Sequence, residues 1–253
     1  STFRVNEAFL AADYSEDGVF DQKKLEEALS RAIGYGKRAV SENPSNFENH
    51  LALARVYESV APLKVVGAYE KAVLSYEKAS LLFNNYPPSL LARARLEKSV
   101  GNAQSAFYYA KKALSLKSSW SEALFFQAAL LAESGNLQLA LEKALTALES
   151  DNQNPNAWYE VGKIYFVAEN WPKAEEFLGK AVSLSPNFGH ALYILGLSLY
   201  YEGRQEESLE ILDRVASLYP GNSSFVEEVM RDIKDGKDPF GEGVDKDKSL
   251  APQ

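Results

Sequence analysis

One pattern returns along this chain every 34 residues, and it constrains the possible folds more than any other feature. With the residue before Asn156 set as position 1, positions 4, 8, 11, 20, 27 and 32 hold Trp158, Gly162, Tyr165, Ala174, Ala181 and Pro186. One period later the same positions hold Leu192, Gly196, Leu199, Ser208, Val215 and Pro220. One period earlier come Leu124, Ala128, Leu131, Ala140 and Ala147, and before them Leu90, Ala94, Ala106 and Ala113. Self-similarity at such a period marks a stack of supersecondary units, none of which buries its apolar face without a neighbour.

The order of large, small and aromatic residues, followed by Ala and Pro, resembles the tetratricopeptide repeat. The resemblance implies an all-α fold, a right-handed superhelical α-solenoid of helix-turn-helix units closed by a C-terminal capping helix. Each unit is then a first helix and a second helix packed antiparallel. Small residues at positions 8 and 20 let the two backbones approach, and Pro186 and Pro220 stop the second helix because proline lacks the donor that a further turn needs. Gly101, Gly135 and Gly203 all fall at position 15, in the turn between helices, where unusual dihedrals are tolerated.

The spacing divides the chain into a degenerate leading repeat (1–46) and a repeat with a six-residue insertion (47–86), then four regular repeats (87–120, 121–154, 155–188 and 189–222). In the leading repeat the first helix is expected around Phe3–Ala12 and the second around Ala32 and Ala39. The insertion, within VAPLKVVGAYE, is expected to lengthen the second helix at its start, with Pro62 marking the break. Phe225, Val226, Val229, Met230 and Ile233 share one helical face, which makes 223–235 the cap. From Gly236 onward the sequence is charged, rich in Gly and without period, so 236–253 is expected to be a mobile tail.

Composition narrows the function. The chain has 253 residues, a net charge of -8 and 46% hydrophobic residues, which is core-forming material and not a basic nucleic-acid binder. It has no cysteine, so disulfides, thiolate catalysis and Cys-ligated zinc are excluded. No apolar run reaches the length of a membrane span. The chain begins at Ser1, and an excised domain or processed product is expected. The two histidines, His50 and His190, lie in different repeats without a nucleophile or carboxylate pattern, His50 as a packing residue and His190 at the surface. GYGK at Gly34 lacks the spacing of a phosphate loop. No catalytic residue, cofactor or metal is expected.

In the repeat family the first helices line a concave groove, into which positions 2, 5, 9 and 12 point. Carried onto this sequence, that implies Leu51, Arg55 and Glu58, then Leu91, Arg95 and Lys98, then Phe125 and Ala129. Asn156, Tyr159, Lys163 and Phe166 follow, with His190, Tyr193, Leu197 and Tyr200 last. Two readings of the rings remain open: they pack against the neighbouring repeat, or they bury apolar anchors of a partner while Arg55, Arg95 and Lys163 meet acidic or polar groups. The candidate partner-binding residues are Arg55, Arg95, Phe125, Tyr159, Lys163, Phe166, His190, Tyr193 and Tyr200. Trp158 and Trp171 sit at interior or turn positions. Replacing Trp158 by Ala should then cost ~3–5 kcal/mol, and replacing Tyr159 or Tyr193 should leave stability nearly intact. The position-5 row (Leu51, Leu91, Phe125, Tyr159, Tyr193) lacks the two-carboxylate clamp of chaperone-binding members. The position-6 row (Ala52, Ala92, Phe126, Glu160, Ile194) lacks the Asn ladder of glycosyltransferase-linked arrays.

The expected function is a non-catalytic scaffold, monomeric, holding a protein or extended peptide segment in the groove, with no nucleic acid and no direct insertion into a membrane. A narrower resemblance gives the alternative. The insertion LKVVGAYEKAVLSYEKA and the ending FVEEVMRDIKDGKDPF are similar to soluble C-terminal regions of bacterial O-antigen ligase or polymerase-type membrane proteins. That resemblance, over about Glu42–Phe240, implies an extracytoplasmic accessory domain in cell-envelope glycan assembly, whose catalytic part lies elsewhere. Without it a cytoplasmic adaptor is expected.

Overall fold

The computed structural model describes residues 22–61, 65–84 and 86–239, except the side chains of 22–26 and 222. The first helix expected around Phe3–Ala12, the break at Pro62 and the tail from 240 onward lie outside the described residues. Within them the protein is all-α, with no strand. The chain forms two compact units that divide between Ser118 and Ser119.

The first unit contains α1 (Gln22–Glu42), α2 (Phe47–Val60), α3 (Ala68–Leu82), α4 (Pro87–Ser99) and α5 (Ala103–Leu116). The second contains α6 (Ser121–Glu133), α7 (Leu137–Ser150), α8 (Pro155–Val167), α9 (Trp171–Leu184), α10 (Gly189–Tyr201), α11 (Gln205–Leu218) and α12 (Ser223–Lys234), with a short 3-10 turn at Pro220–Asn222. In each unit every helix packs on the next in sequence, as a helical repeat array requires.

The second helices bury one stripe in the same register. Ala72, Tyr76 and Ala79 in α3 correspond to Ala106, Ala110 and Ala113 in α5, then to Ala140, Ala144 and Ala147 in α7. Ala174, Leu178 and Ala181 follow in α9, and Ser208, Leu212 and Val215 in α11, all buried. Spacings of four and three place each set on one helical face. Where that stripe carries Leu, the facing first helix carries Gly: a Cβ on Gly162 would lie 2.7 Å from Leu178 Cγ, and one on Gly196 3.0 Å from Leu212 Cγ. These contacts join mid-helix to mid-helix across a short turn, which is antiparallel packing.

Four turns between paired helices close alike. Asn102, Asn136, Asn170 and Arg204 donate their backbone N–H to the carbonyls of Glu97, Leu131, Tyr165 and Leu199, at 2.8, 2.8, 3.0 and 2.9 Å. This is the Schellman closure, which places one residue in the left-handed region. That residue is Gly101, Gly135 and Gly203 in three turns, and Glu169, at φ 57°, in the fourth. Gly135 has φ 80° and open space where a Cβ would stand; Gly179, inside α9, has equally open space in helical geometry. Gly135→Ala is therefore expected to lower stability by about 1–2 kcal/mol, and Gly179→Ala to raise it by about 0.5–1 kcal/mol. Urea denaturation of the two variants checks both signs.

The insertion is not taken up as an extension of the second helix, contrary to expectation. Instead α3 starts only at Ala68, after Gly67 at φ 72°. A left-handed residue interrupts the helical path, so residues 65–67 form a turn, with Ala68 N–H bonded to the Val65 carbonyl at 3.0 Å.

Candidate partner-binding face

In the first unit the expected side chains gather around one carboxylate. Arg55 on α2 is half-buried, Arg95 on α4 is exposed, and both act electrostatically on Glu58, one turn along α2 from Arg55. The Tyr76 hydroxyl, from α3, donates to that same carboxylate. Burial pushes the Glu58 carboxyl above its ordinary range, against the opposing pull of the Tyr76 bond, Arg95 and Arg55. A carboxyl raised in the folded state stabilises while protonated, and that contribution is lost as pH rises through its folded value. Stability of the first unit is thus expected to fall as pH climbs above 4.5, the carboxyl's ordinary value. Glu58→Gln should flatten this fall, which denaturation at a series of pH values measures.

A second carboxylate, Glu97 on α4, is only 2% exposed. It accepts hydrogen bonds from Arg93 Nε at 2.7 Å, Asn102 Nδ2 at 2.9 Å and the Tyr69 hydroxyl at 3.2 Å. The sequence reading did not single it out, because Arg93 and Glu97 at a spacing of four look like an ordinary surface pair. Leu51 and Leu91, expected in the groove, are buried.

The second unit corrects part of the aromatic row. Phe166 has no exposed surface and packs edge-on against Trp171, with centroids 5.0 Å apart, and against Tyr201 at 6.0 Å. It is a core residue that no partner can touch. Tyr159 and Tyr193 are 9% and 5% exposed, covered by rings that come after the second helix that follows each. Phe188 lies 5.1 Å from the Tyr159 ring, and Phe225, at the start of α12, lies 5.9 Å from the Tyr193 ring. The Tyr193 hydroxyl is buried without a hydrogen-bond partner, and burial raises its pKa. Leu197 is buried as well.

Trp158, expected in the interior, is only partly buried. Its indole donates to the Asn152 carbonyl at 2.8 Å and lies 5.6 Å from Phe177, with Lys180 Nζ 6.0 Å over the ring. The two tyrosines are thus more enclosed than the indole, the opposite of the expected placement. Trp171, half-buried, stacks on Tyr201 at 4.6 Å.

Four candidates keep open surface in the second unit. Phe125 is half-buried and His190 exposed. Lys163 is half-buried, 3.3 Å from Glu160 Oε2, with its Nζ 5.8 Å over the Tyr159 ring. Tyr200 is half-buried, and its hydroxyl donates to the Lys237 carbonyl at 3.2 Å, beside the bond from the Tyr201 hydroxyl to Asp238 Oδ1 at 2.8 Å. The chain after α12 thus turns back over the C-terminal end of α10. At the other end of α10 a pocket of about 340 Å³ opens between the α9–α10 connection, α11 and α12. Sequence reasoning missed this pocket, since three of its rings, Phe188, Tyr219 and Phe225, lie outside the expected row. Among the described residues no group of three or more His, Asp or Glu is placed to hold a metal, and no helix is long and apolar enough to cross a membrane.

Comparison with known proteins places these observations. Sequence profiles described as tetratricopeptide repeat match residues 155–188 and 190–222. The human protein O-mannosyl-transferase TMTC3 is 26% identical over 200 residues, covering 77% of this chain and 21% of that protein, so the chain spans about one fifth of its relative. Among solved structures, the fold is similar to one in the APC/C hetero-tetramer Cut9-Hcn1, with a TM-score of 0.68 and 16% identity over 83% of this chain and 40% of that one. BtubC from P. vanneervenii gives 0.64 at 14% identity, covering 77% of this chain and 89% of that one. YrrB, described as a TPR protein with an unusual peptide-binding site, gives 0.54 at 20% identity, covering 75% and 94%.

Proposed function

We propose that this chain, a tetratricopeptide-repeat protein, is a non-catalytic scaffold that holds a protein or extended peptide segment on the faces that the first helices present within each unit. The observation that carries the reading is the set of partly open cationic and aromatic side chains on successive first helices. These are Arg55 and Arg95 in the first unit, and Phe125, Lys163 and His190 in the second. Rings and cations that stay in reach of water offer a partner apolar contact and charge pairing at little cost in ordering. The fold shared with a protein described by its peptide-binding site supports the same class of function.

The transferase activity named for the human relative does not carry over, because the chain matches about a fifth of that protein. The envelope-ligase reading rests only on the insertion and the closing helix, and these relatives add no support to it. Selection of random peptides on the whole chain tests the proposal. Peptides enriched on the wild type are expected to bind at least ten-fold more weakly to a Lys163→Glu, His190→Ala double variant, whose changes lie off the buried core. Equal binding to both proteins would overturn the use of this face in the second unit.

A further inference from the structure

We propose, beyond peptide binding, that the pocket at the N-terminal end of α10 is a site for a quaternary ammonium group. Its walls include the rings of Phe188, Tyr193, Tyr219 and Phe225 and the imidazole of His190, while no Lys, Arg, Asp or Glu among the described residues lines it. The rings are splayed and not stacked: Tyr193 and Phe225 meet at 43°, and Phe188 and His190 at 67°. At about 340 Å³ the space takes a trimethylammonium head with part of its chain.

The pocket is built before any ligand arrives. The Tyr219 hydroxyl donates to the Asn187 carbonyl and accepts the Gly189 N–H at 3.3 Å, which pins the ring at both sides of the α9–α10 connection. The ring lies so close to the start of α10 that a Cβ on Gly189 would stand 2.5 Å from it. Only glycine leaves room for that wall. A wall held by its own hydrogen bonds adds little reorganisation cost on binding.

The chemistry selects the ligand. Aromatic faces attract a cation placed against them. A primary ammonium or guanidinium brings N–H donors that call for a carboxylate when desolvated, and among the described residues none lines this pocket. A quaternary ammonium has no N–H to satisfy. An anion meets the same negative ring faces unfavourably, and the net charge of -8 favours approach of cations over anions. The adjoining ring already behaves this way: Lys163 Nζ stands 5.8 Å over Tyr159, whose centroid is 5.1 Å from Phe188.

A free small molecule and a trimethylated lysine side chain carry the same head group, and titration calorimetry on the full chain separates them. The probes are choline, its uncharged isostere 3,3-dimethylbutan-1-ol, and short peptides carrying trimethyllysine or lysine. Choline or the trimethyllysine peptide is expected to bind at least ten-fold more tightly than its uncharged or unmethylated counterpart, and the tighter of the two identifies the source. Phe225→Ala removes a ring that is 43% exposed, so it should reduce that binding at least ten-fold while the melting temperature falls only slightly. Equal affinity for choline and the neutral alcohol would make the site an apolar pocket and overturn the proposal. Absence of binding by both charged probes would overturn it too, and would leave the peptide-binding reading to its own test with selected peptides.

Discussion

Phe166→Ala is expected to destabilise the second unit by about 3–5 kcal/mol, the cost of an aromatic cavity in a closed core. The ring has no exposed surface and is held between Trp171 and Tyr201. Those two rings stack on each other at 4.6 Å, so they brace one another and cannot simply collapse into the space left behind. Urea denaturation followed by tryptophan fluorescence reads the change directly, since Trp171 forms part of the cavity wall. Phe125→Ala, at a half-buried ring, should cost clearly less. A Phe166→Ala protein as stable as the wild type would mean that the ring stands at an open face after all.

Glu97→Gln should be nearly as costly, about 3–5 kcal/mol, because it breaks a buried ion pair and strands the other charge. The Arg93 side chain is 11% exposed, and its Nη2 lies 2.6 Å from Glu97. Its guanidinium also lies 5.3 Å from the Tyr109 ring centroid and 5.9 Å from that of Tyr69, contacts that cannot replace a carboxylate. Tyr69 and Asn102 would lose a charged acceptor as well. Replacing both members of the pair, Arg93→Met with Glu97→Met, is expected to recover much of the loss, since no charge is then left without its counterpart. A double variant no better than Glu97→Gln would show that the carboxylate matters chiefly as an acceptor for Tyr69 and Asn102. Thermal denaturation of the two variants decides between these outcomes.

The second helices were legible in the sequence, and the reason is geometric. Each buries one narrow stripe against its partner, so Ala106, Ala110 and Ala113 recur as Ala140, Ala144 and Ala147 with little freedom to vary. The first helices were harder. In α10 every residue from Ala191 to Leu199 is buried, so neither helical period nor residue type separates a core face from an open one. Tyr159 and Tyr193 stand at positions the family points outward, yet Phe188 and Phe225, which come after the second helix that follows each, cover them. What covers a ring is a residue some thirty positions further on, which the pattern of its own helix does not encode. Glu169 was hidden differently: its turn adopts the backbone of its glycine-bearing counterparts without a glycine to mark it.

The close approach of Gly162 to Leu178, and of Gly196 to Leu212, bears on how such a chain can be recombined. In the two preceding repeats the equivalent positions hold Ala94 with Ala110 and Ala128 with Ala144. Two small residues in one repeat become one minimal and one large residue in the next, so the bulk moves to one side of the pair and the facing side gives way to it. If α9 took the place of α7, its leucine would meet Ala128 where the native chain has alanine on both sides, and the interface would be overfilled. The reverse exchange would leave alanine facing glycine across a void. The helix pair, and not the single helix, is therefore the smallest interchangeable part of this protein.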